Sequence, residues 1–320
     1  MAKHTTEFPK PTMFHWLLLL AIVFIGGSSF AGIKYGLETA TPGLVAAGRL
    51  WIGAILLTLY ARATGRKFPP LISNGKPSKH WLFMLAGGIV GYAIPFTLFP
   101  IAQQSVSTML AGIYMALMPL MTLVMAYFFV GEAMTRRKVL GFVMGAVGVV
   151  VLIGPSALSG ASSGDLTAQL ILIAAILCYS AYGIIAAKAP KMQARSYGAG
   201  VIICAALAST IPLFLWGQDW SALSWRSGAG ILFLGIFPSG IATIIIIVLI
   251  QQVGASFTSL GAYGAPPVAI VLGIILFDEP LKPTFLIGLL IILSGLAISQ
   301  SKANQLNAMA LGIARRFAKK

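Results

Sequence analysis

Long apolar runs alternate with short polar breaks along the chain. Ten of the runs approach the ~20 apolar residues that a helix needs to cross a bilayer. They lie at about 14–36, 42–61, 80–101, 106–130, 137–154, 166–187, 197–216, 228–250, 256–277 and 283–300. The breaks are mostly short, so neighbouring helices must run antiparallel. The longest, 62–79, holds Pro69, Pro70, Asn74, Gly75 and Pro77 and reads as a plain loop. The first run is too long for the core of a secretory signal and no small-residue cleavage motif follows it, so it reads as a retained helix. The pattern predicts an all-α integral membrane protein.

One stretch occurs twice. Pro119 to Glu132 (PLMTLVMAYFFVGE) is matched 147 positions later by Pro266 to Glu279 (PPVAIVLGIILFDE). Each glutamate is followed by a glycine nine positions on, Gly141 or Gly288, and by another seven beyond that, Gly148 or Gly295. Laid over one another without a gap, 81–153 and 228–300 share 11 identities, with the unusual residues in register. The period is five helices, an odd number, so the second copy must cross the membrane the opposite way. Inverted repeats of this kind are a signature of secondary transporters. The organisation expected is an N-terminal segment at 1–13, a first five-helix repeat at 14–154, a connection at 155–165, a second, inverted repeat at 166–300 and a basic tail at 301–320.

Composition agrees with a lipid solvent. The 320 residues have 58% hydrophobic and 9% charged side chains, against about 25% charged in soluble domains; the mean hydropathy is +0.92. The net charge of +15 would suit nucleic acid if it formed one stripe. Instead, 18 of the 22 basic residues fall in alternate connections and the termini, while Glu38, Asp165, Asp219, Asp278 and Glu279 fall in the others. This asymmetry puts both termini in the cytoplasm and removes the nucleic-acid reading. Cys178 and Cys204 sit in apolar runs and read as small hydrophobes with no metal-like neighbours. In the tail, Leu306, Met309, Ala310, Ile313 and Phe317 have helical spacing beside Arg315, Arg316, Lys319 and Lys320. An amphipathic helix on the inner membrane face and a disordered tail both fit.

Two five-helix halves, each with an apolar helix carrying a proline, a terminal "GE" or "DE" and a following G-x6-G helix, resemble the EamA-like domain of the drug/metabolite transporter superfamily. The likeness spans nearly all of 14–300. The small and Ser-rich first span (Ile25 to Phe30, then Lys34) and Arg49 in the second also match it. The resemblance implies a ten-helix exporter of small metabolites in a bacterial inner membrane, with a central cavity lined by helices 1, 3, 4, 6, 8 and 9. It is similar to aromatic amino-acid exporters. Asp278 in place of glycine and the tandem Pro266-Pro267 depart from the pattern.

Candidate substrate-binding residues are polar or aromatic groups near mid-depth. Tyr92 and Phe96 are spaced i, i+4, and their repeat partners are Ser239 and Thr243. Ser28, Tyr114, Tyr179, Tyr182 and Tyr263 lie at similar depth. Each alone is more often core packing or an interhelical hydrogen bond; together they suit a cavity for a solute with an apolar body. Arg49 lies ~10 Å into its span and would attract a substrate carboxylate, or else snorkel or pair with Glu38. Pro119, Pro266 and Pro267 are candidate hinges or gates; the alternative is a kink that only shapes packing. Trp16, Trp81 and Trp225 read as interfacial anchors.

No acid or histidine lies at mid-depth, which fits facilitated efflux without a buried proton carrier and leaves no catalytic pair for an enzyme. No cofactor or metal is expected. The partners expected are membrane lipid and a small solute such as an amino acid, with the chain acting as a monomer or homodimer. Rival readings are a multidrug or other metabolite carrier, a membrane-embedded enzyme and a channel.

Overall fold

A computed structural model describes residues 11–73, 75–158, 163–258 and 260–300. The 301–320 tail, with its two readings, lies outside the described residues, as does most of the 1–13 segment. The described chain is helical apart from its connections. The helices are α1 (Met13–Gly36), α2 (Pro42–Ala63), α3 (Lys79–Gln103), α4 (Thr108–Phe129), α5 (Arg136–Gly154, where φ +71° ends the regular helix), α6 (Ser163–Lys188), α7 (Ala194–Trp216), α8 (Trp225–Val253), α9 (Gly261–Phe277) and α10 (Pro283–Gln300). Among the described residues, eight helices are long and apolar enough to cross a membrane, while α9 and α10 are apolar but shorter. The apolar run expected to start near 256 is interrupted: a single turn, Ala255–Thr258, precedes α9. The 62–79 connection is more than a plain loop. Ile72 and Ser73 pair antiparallel with Pro77 and Lys76, and Gly75 at φ +71° supplies the tight turn.

The helix ends follow local chemistry. The hydroxyls of Thr41, Ser107 and Ser224 accept from the backbone N–H groups of Leu44, Leu110 and Ser227, capping α2, α4 and α8. The two copies of the repeated stretch end alike. Glu132 N–H donates to Ala126 O at 3.3 Å, and Glu279 N–H donates to Gly273 O at 3.2 Å. Both closures need a left-handed residue just before the glutamate. Gly131 supplies it at φ +76° and Asp278 at φ +49°. The Asp278 departure therefore keeps the same backbone cap, because a short polar side chain tolerates this region.

Three helix pairs cross antiparallel at close range. On α5 and α10, a Cβ at Gly141 would strike Gly295 O and one at Gly148 would lie 3.0 Å from Gly288 O. On α4 and α9, Gly112 faces Ala269 and Met109 faces Gly273. On α2 and α7, Gly43 faces Pro212 and Leu213, while Trp51 Nε1–H donates to Thr210 Oγ1 at 3.1 Å. Gly141 and Gly148 of α5 are thus used for contact within the chain. The main core gathers Phe30, Ile33, Phe99, Tyr114, Leu117 and Leu172 among others from α1, α3, α4 and α6. Large apolar side chains such as Phe24, Phe128, Phe214, Leu215 and Leu290 are left on the outside. Such an outer surface suits lipid.

Candidate functional site

Two helices depart from α geometry at equivalent places. α3 contains a π turn at Ile89–Ala93 and α8 contains one at Gly235–Ile241, and the 147-residue shift superimposes them. Proline explains both. Pro95 and Pro238 lack the N–H that would bond one turn back, and a wider turn relieves the clash with that carbonyl. The turns carry Tyr92 and Ser239, two of the sequence-predicted site residues.

Around these turns a buried cluster forms. Arg49 of α2 is 4% exposed. Its Nε–H donates to Ser239 Oγ at 3.2 Å, and its guanidinium lies 3.8 Å from the centre of the Phe96 ring. The Phe96 ring packs edge-on to Tyr92 at 5.5 Å and Tyr179 at 6.2 Å. Tyr92 in turn meets Tyr182 at 5.3 Å, and Tyr179 meets Phe99 at 6.0 Å. The structure thus brings together six expected residues: Arg49, Tyr92, Phe96, Tyr179, Tyr182 and Ser239. Glu38 is not the partner of Arg49. It pairs instead with Arg226 at 3.5 Å, so the snorkelling alternative gives way to a buried cation. Among the described residues, the ion pairs are Lys138–Glu132 and Arg226–Glu38, so no carboxylate neutralises Arg49. Removing such a charge from water costs several kcal/mol before compensation. Phe96 supplies part through its ring face and Ser239 part through its lone pair.

The other expected residues lie elsewhere. Tyr114 is fully buried, and its hydroxyl donates to Gln169 Oε1 at 2.6 Å inside the main core. Thr243 is one turn from Ser239, but its hydroxyl is spent on Ser239 O at 2.9 Å. Tyr263 packs half-buried against the main core on α9. Ser28 donates to Ile25 O at 3.0 Å and borders an apolar crevice of about 500 Å³ among α1, α8 and α9, with Tyr35, Arg226 and Phe233. Sequence reasoning missed Phe99, Gln169 and the two π turns. Gln169 carried a visible signal, a lone amide in an apolar run; the π turns carried only Pro95 and Pro238.

Pro119 is the second residue of Met118–Val130, directly after the 3₁₀ turn Met115–Leu117 that breaks α4. Pro266 and Pro267 lie within an unbroken α9. The two duplicated glutamates part company. The Glu279 carboxylate accepts from Thr108 N–H at 2.7 Å and Met109 N–H at 3.0 Å, clamping the start of α4. Glu132, past the other end of α4, pairs with Lys138 at 3.1 Å. The sequence contains a reason. A Cβ at Gly273 would lie 2.7 Å from Glu279 Oε2, whereas the equivalent residue in the first copy is Ala126.

Comparison with known proteins agrees with this architecture. The family model described as "EamA-like transporter family" matches residues 13–154 and again 166–300. The "uncharacterized inner membrane transporter YedA" of Escherichia coli K12 is 30% identical over 269 residues, 82% of this chain and 83% of that protein. The "uncharacterized transporter YdfC" of Bacillus subtilis is 25% identical over 89% of this chain and 90% of its own. A "probable terminal-alkyne amino-acid exporter" of Streptantibioticus cattleyicolor is 23% identical over 85% of this chain and 88% of that protein. A solved crystal structure shares the fold with a TM-score of 0.61 at 21% identity, covering 90% of this chain and 97% of the other. With both halves of its helical bundle matched by one family model, this chain belongs to the EamA-like transporter family, a multi-pass membrane transporter of the drug/metabolite transporter superfamily.

Proposed function

We propose that the protein exports small amphipathic metabolites, amino acids with aromatic or other apolar side chains, by alternating access between two inverted five-helix repeats. The observation that carries this reading is Arg49: a buried guanidinium with no carboxylate partner among the described residues, stacked on Phe96 and close to Ser239 and the tyrosines. Once opened to solute, such a cluster would offer a carboxylate the cation and an apolar side chain the rings. The name of the Streptantibioticus relative, a probable amino-acid exporter, points the same way. Ten spans, with α9 and α10 tilted or shortened at the bilayer edge, and cytoplasmic termini complete the topology. Support for the inversion comes from the repeat-equivalent pairs α4/α9 and α5/α10, which cross antiparallel. A carrier of lipophilic solutes without a carboxylate is the second reading, favoured by the apolar crevice beside Ser28.

Counterflow in proteoliposomes with a panel of labelled solutes separates the two. Saturable exchange of aromatic amino acids, with their decarboxylated amines inert, is the expected result. Equal exchange of amines and amino acids would sink the carboxylate reading. The same vesicles test energetics: exchange is expected to proceed without a pH gradient, and strict dependence on one would overturn facilitated efflux.

Glu279 is the latch of this cycle, and Pro119 the hinge about which the far half of α4 moves. Two charged hydrogen bonds, each about 1.5–3 kcal/mol, hold the start of α4 against α9. Glu279→Ala is therefore expected to open this end. The readout is maleimide labelling of Met109→Cys after Cys178 and Cys204 are replaced. Labelling is expected to rise several-fold in the Glu279→Ala background and with Gly273→Ala. Unchanged labelling in both would show that the clamp is not a gate.

A further inference from the structure

A second polar site lies away from the Arg49 cluster. Lys67, His80, Gln193 and Ser196 border a cavity of about 450 Å³ between the 62–79 connection and the start of α7. α7 begins there without a side-chain cap from Gln193. Its first backbone bond is Tyr197 N–H to Gln193 O at 3.0 Å, so the three preceding N–H groups have no acceptor within the helix. Ser196 is 2% exposed, yet its Oγ has no hydrogen-bond partner among the described residues, and neither has Arg195 Nε. A hydroxyl so buried is ordinarily bonded. The segments 62–80 and 188–195 hold eight Lys and Arg and neither Asp nor Glu.

We propose that this cavity binds a phosphate group, held by Lys67, Ser196 and the N-terminus of α7. The donors outnumber what the two oxygens of a carboxylate satisfy. They match a tetrahedral anion with three or more acceptor oxygens. A helix N-terminus concentrates N–H donors and positive potential at one point, and Lys67 adds a mobile charge. Basic connections alone would follow from membrane orientation, but orientation does not explain a buried hydroxyl left unbonded on a residue that borders a cavity. The phosphate has two sources. One is the headgroup of an anionic phospholipid, which basic pockets between spanning helices recognise; the other is a soluble phosphate.

Thermal melting of the full chain in neutral detergent tests this. Inorganic phosphate is titrated in one arm. Micelles doped with phosphatidylglycerol or phosphatidylcholine form the other, with native mass spectrometry counting retained lipid. Phosphatidylglycerol or phosphate is expected to raise Tm by ~2 °C or more. Lys67→Gln, on an exposed connection, and Ser196→Ala are each expected to weaken binding ~5-fold or more, the loss of one charge-assisted hydrogen bond. Retention of phosphatidylglycerol with no response to phosphate assigns a lipid headgroup; a response to phosphate alone assigns a soluble anion. If neither ligand binds, or both variants bind as the parent does, the proposal is wrong.

Discussion

Arg49→Met is expected to abolish saturable transport while leaving the protein folded. Truncating one partner of a desolvated charge pair typically costs at least ~2 kcal/mol, or ~30-fold in affinity. Here the substrate carboxylate is the proposed partner. Met keeps the length and apolar bulk that pack on Phe96, so size-exclusion behaviour and helicity should match the parent. Arg49→Lys is expected to recover little. An ammonium presents no planar fork to a carboxylate and stacks poorly on a ring, and the Nε–H to Ser239 at 3.2 Å is lost. Initial counterflow rates across a range of aromatic amino-acid concentrations measure the effect. Parent-like saturation in Arg49→Met would remove Arg49 from the site. A residual activity confined to solutes without a carboxylate would favour the lipophilic-carrier reading.

Gly141→Leu is expected to produce the largest loss of stability. At this crossing two helix backbones touch, and a Cβ on Gly141 meets Gly295 O as well as Ser299 Cβ at 2.7 Å. A carbonyl within a helix cannot rotate away, so α5 and α10 must separate along the whole seam. Overpacking of a tight core costs about 1–3 kcal/mol even where side chains can yield, and this contact is backbone on backbone. Gly183→Ala and Gly228→Ala are the controls, because a Cβ at either meets nothing within 4 Å. Melting temperature in detergent should fall strongly for Gly141→Leu and stay within a few degrees of the parent for the controls. Equal effects at all three positions would mean that the loss comes from glycine content and not from the seam.

Much of the fold was legible in the chain because spanning helices are locally determined. A bilayer offers no water to backbone groups, so each apolar run must close its own hydrogen bonds. Helix ends therefore fell within a few residues of the expected runs for α1, α2, α5, α6 and α10. Local reasoning failed where the backbone departed from α geometry. The break before α9 at Gly254 needs φ +91°. The π turns depend on how proline is accommodated, which an apolar pattern does not record. The equivalence of Glu132 and Glu279 was visible as a repeat, but their division into a salt bridge and a helix clamp was not. Gly273 leaves room for the Glu279 carboxylate where the first copy has Ala126, and the break before α9 removes the helix start that Glu132 would need to clamp.

Taken alone, the sequence determined the helices, the duplication, the lipid-facing composition and the choice of Arg49 as the unusual charge. These follow from hydrogen-bonding need, residue period and the rarity of ions in apolar runs. Tertiary structure decided which faces meet. Arg49 and Ser239 are 190 residues apart, and only the packing of α2 against α8 puts them at 3.2 Å. Six of the ten residues singled out for substrate binding share a cluster, while Tyr114 was turned into the core by Gln169. The physical reason is that depth in the membrane can be read along a helix, but rotation about its axis is set by its neighbours. With apolar residues on every side, these helices carry little directional pattern of their own, and close backbone contacts such as Gly141 on Gly295 supply it.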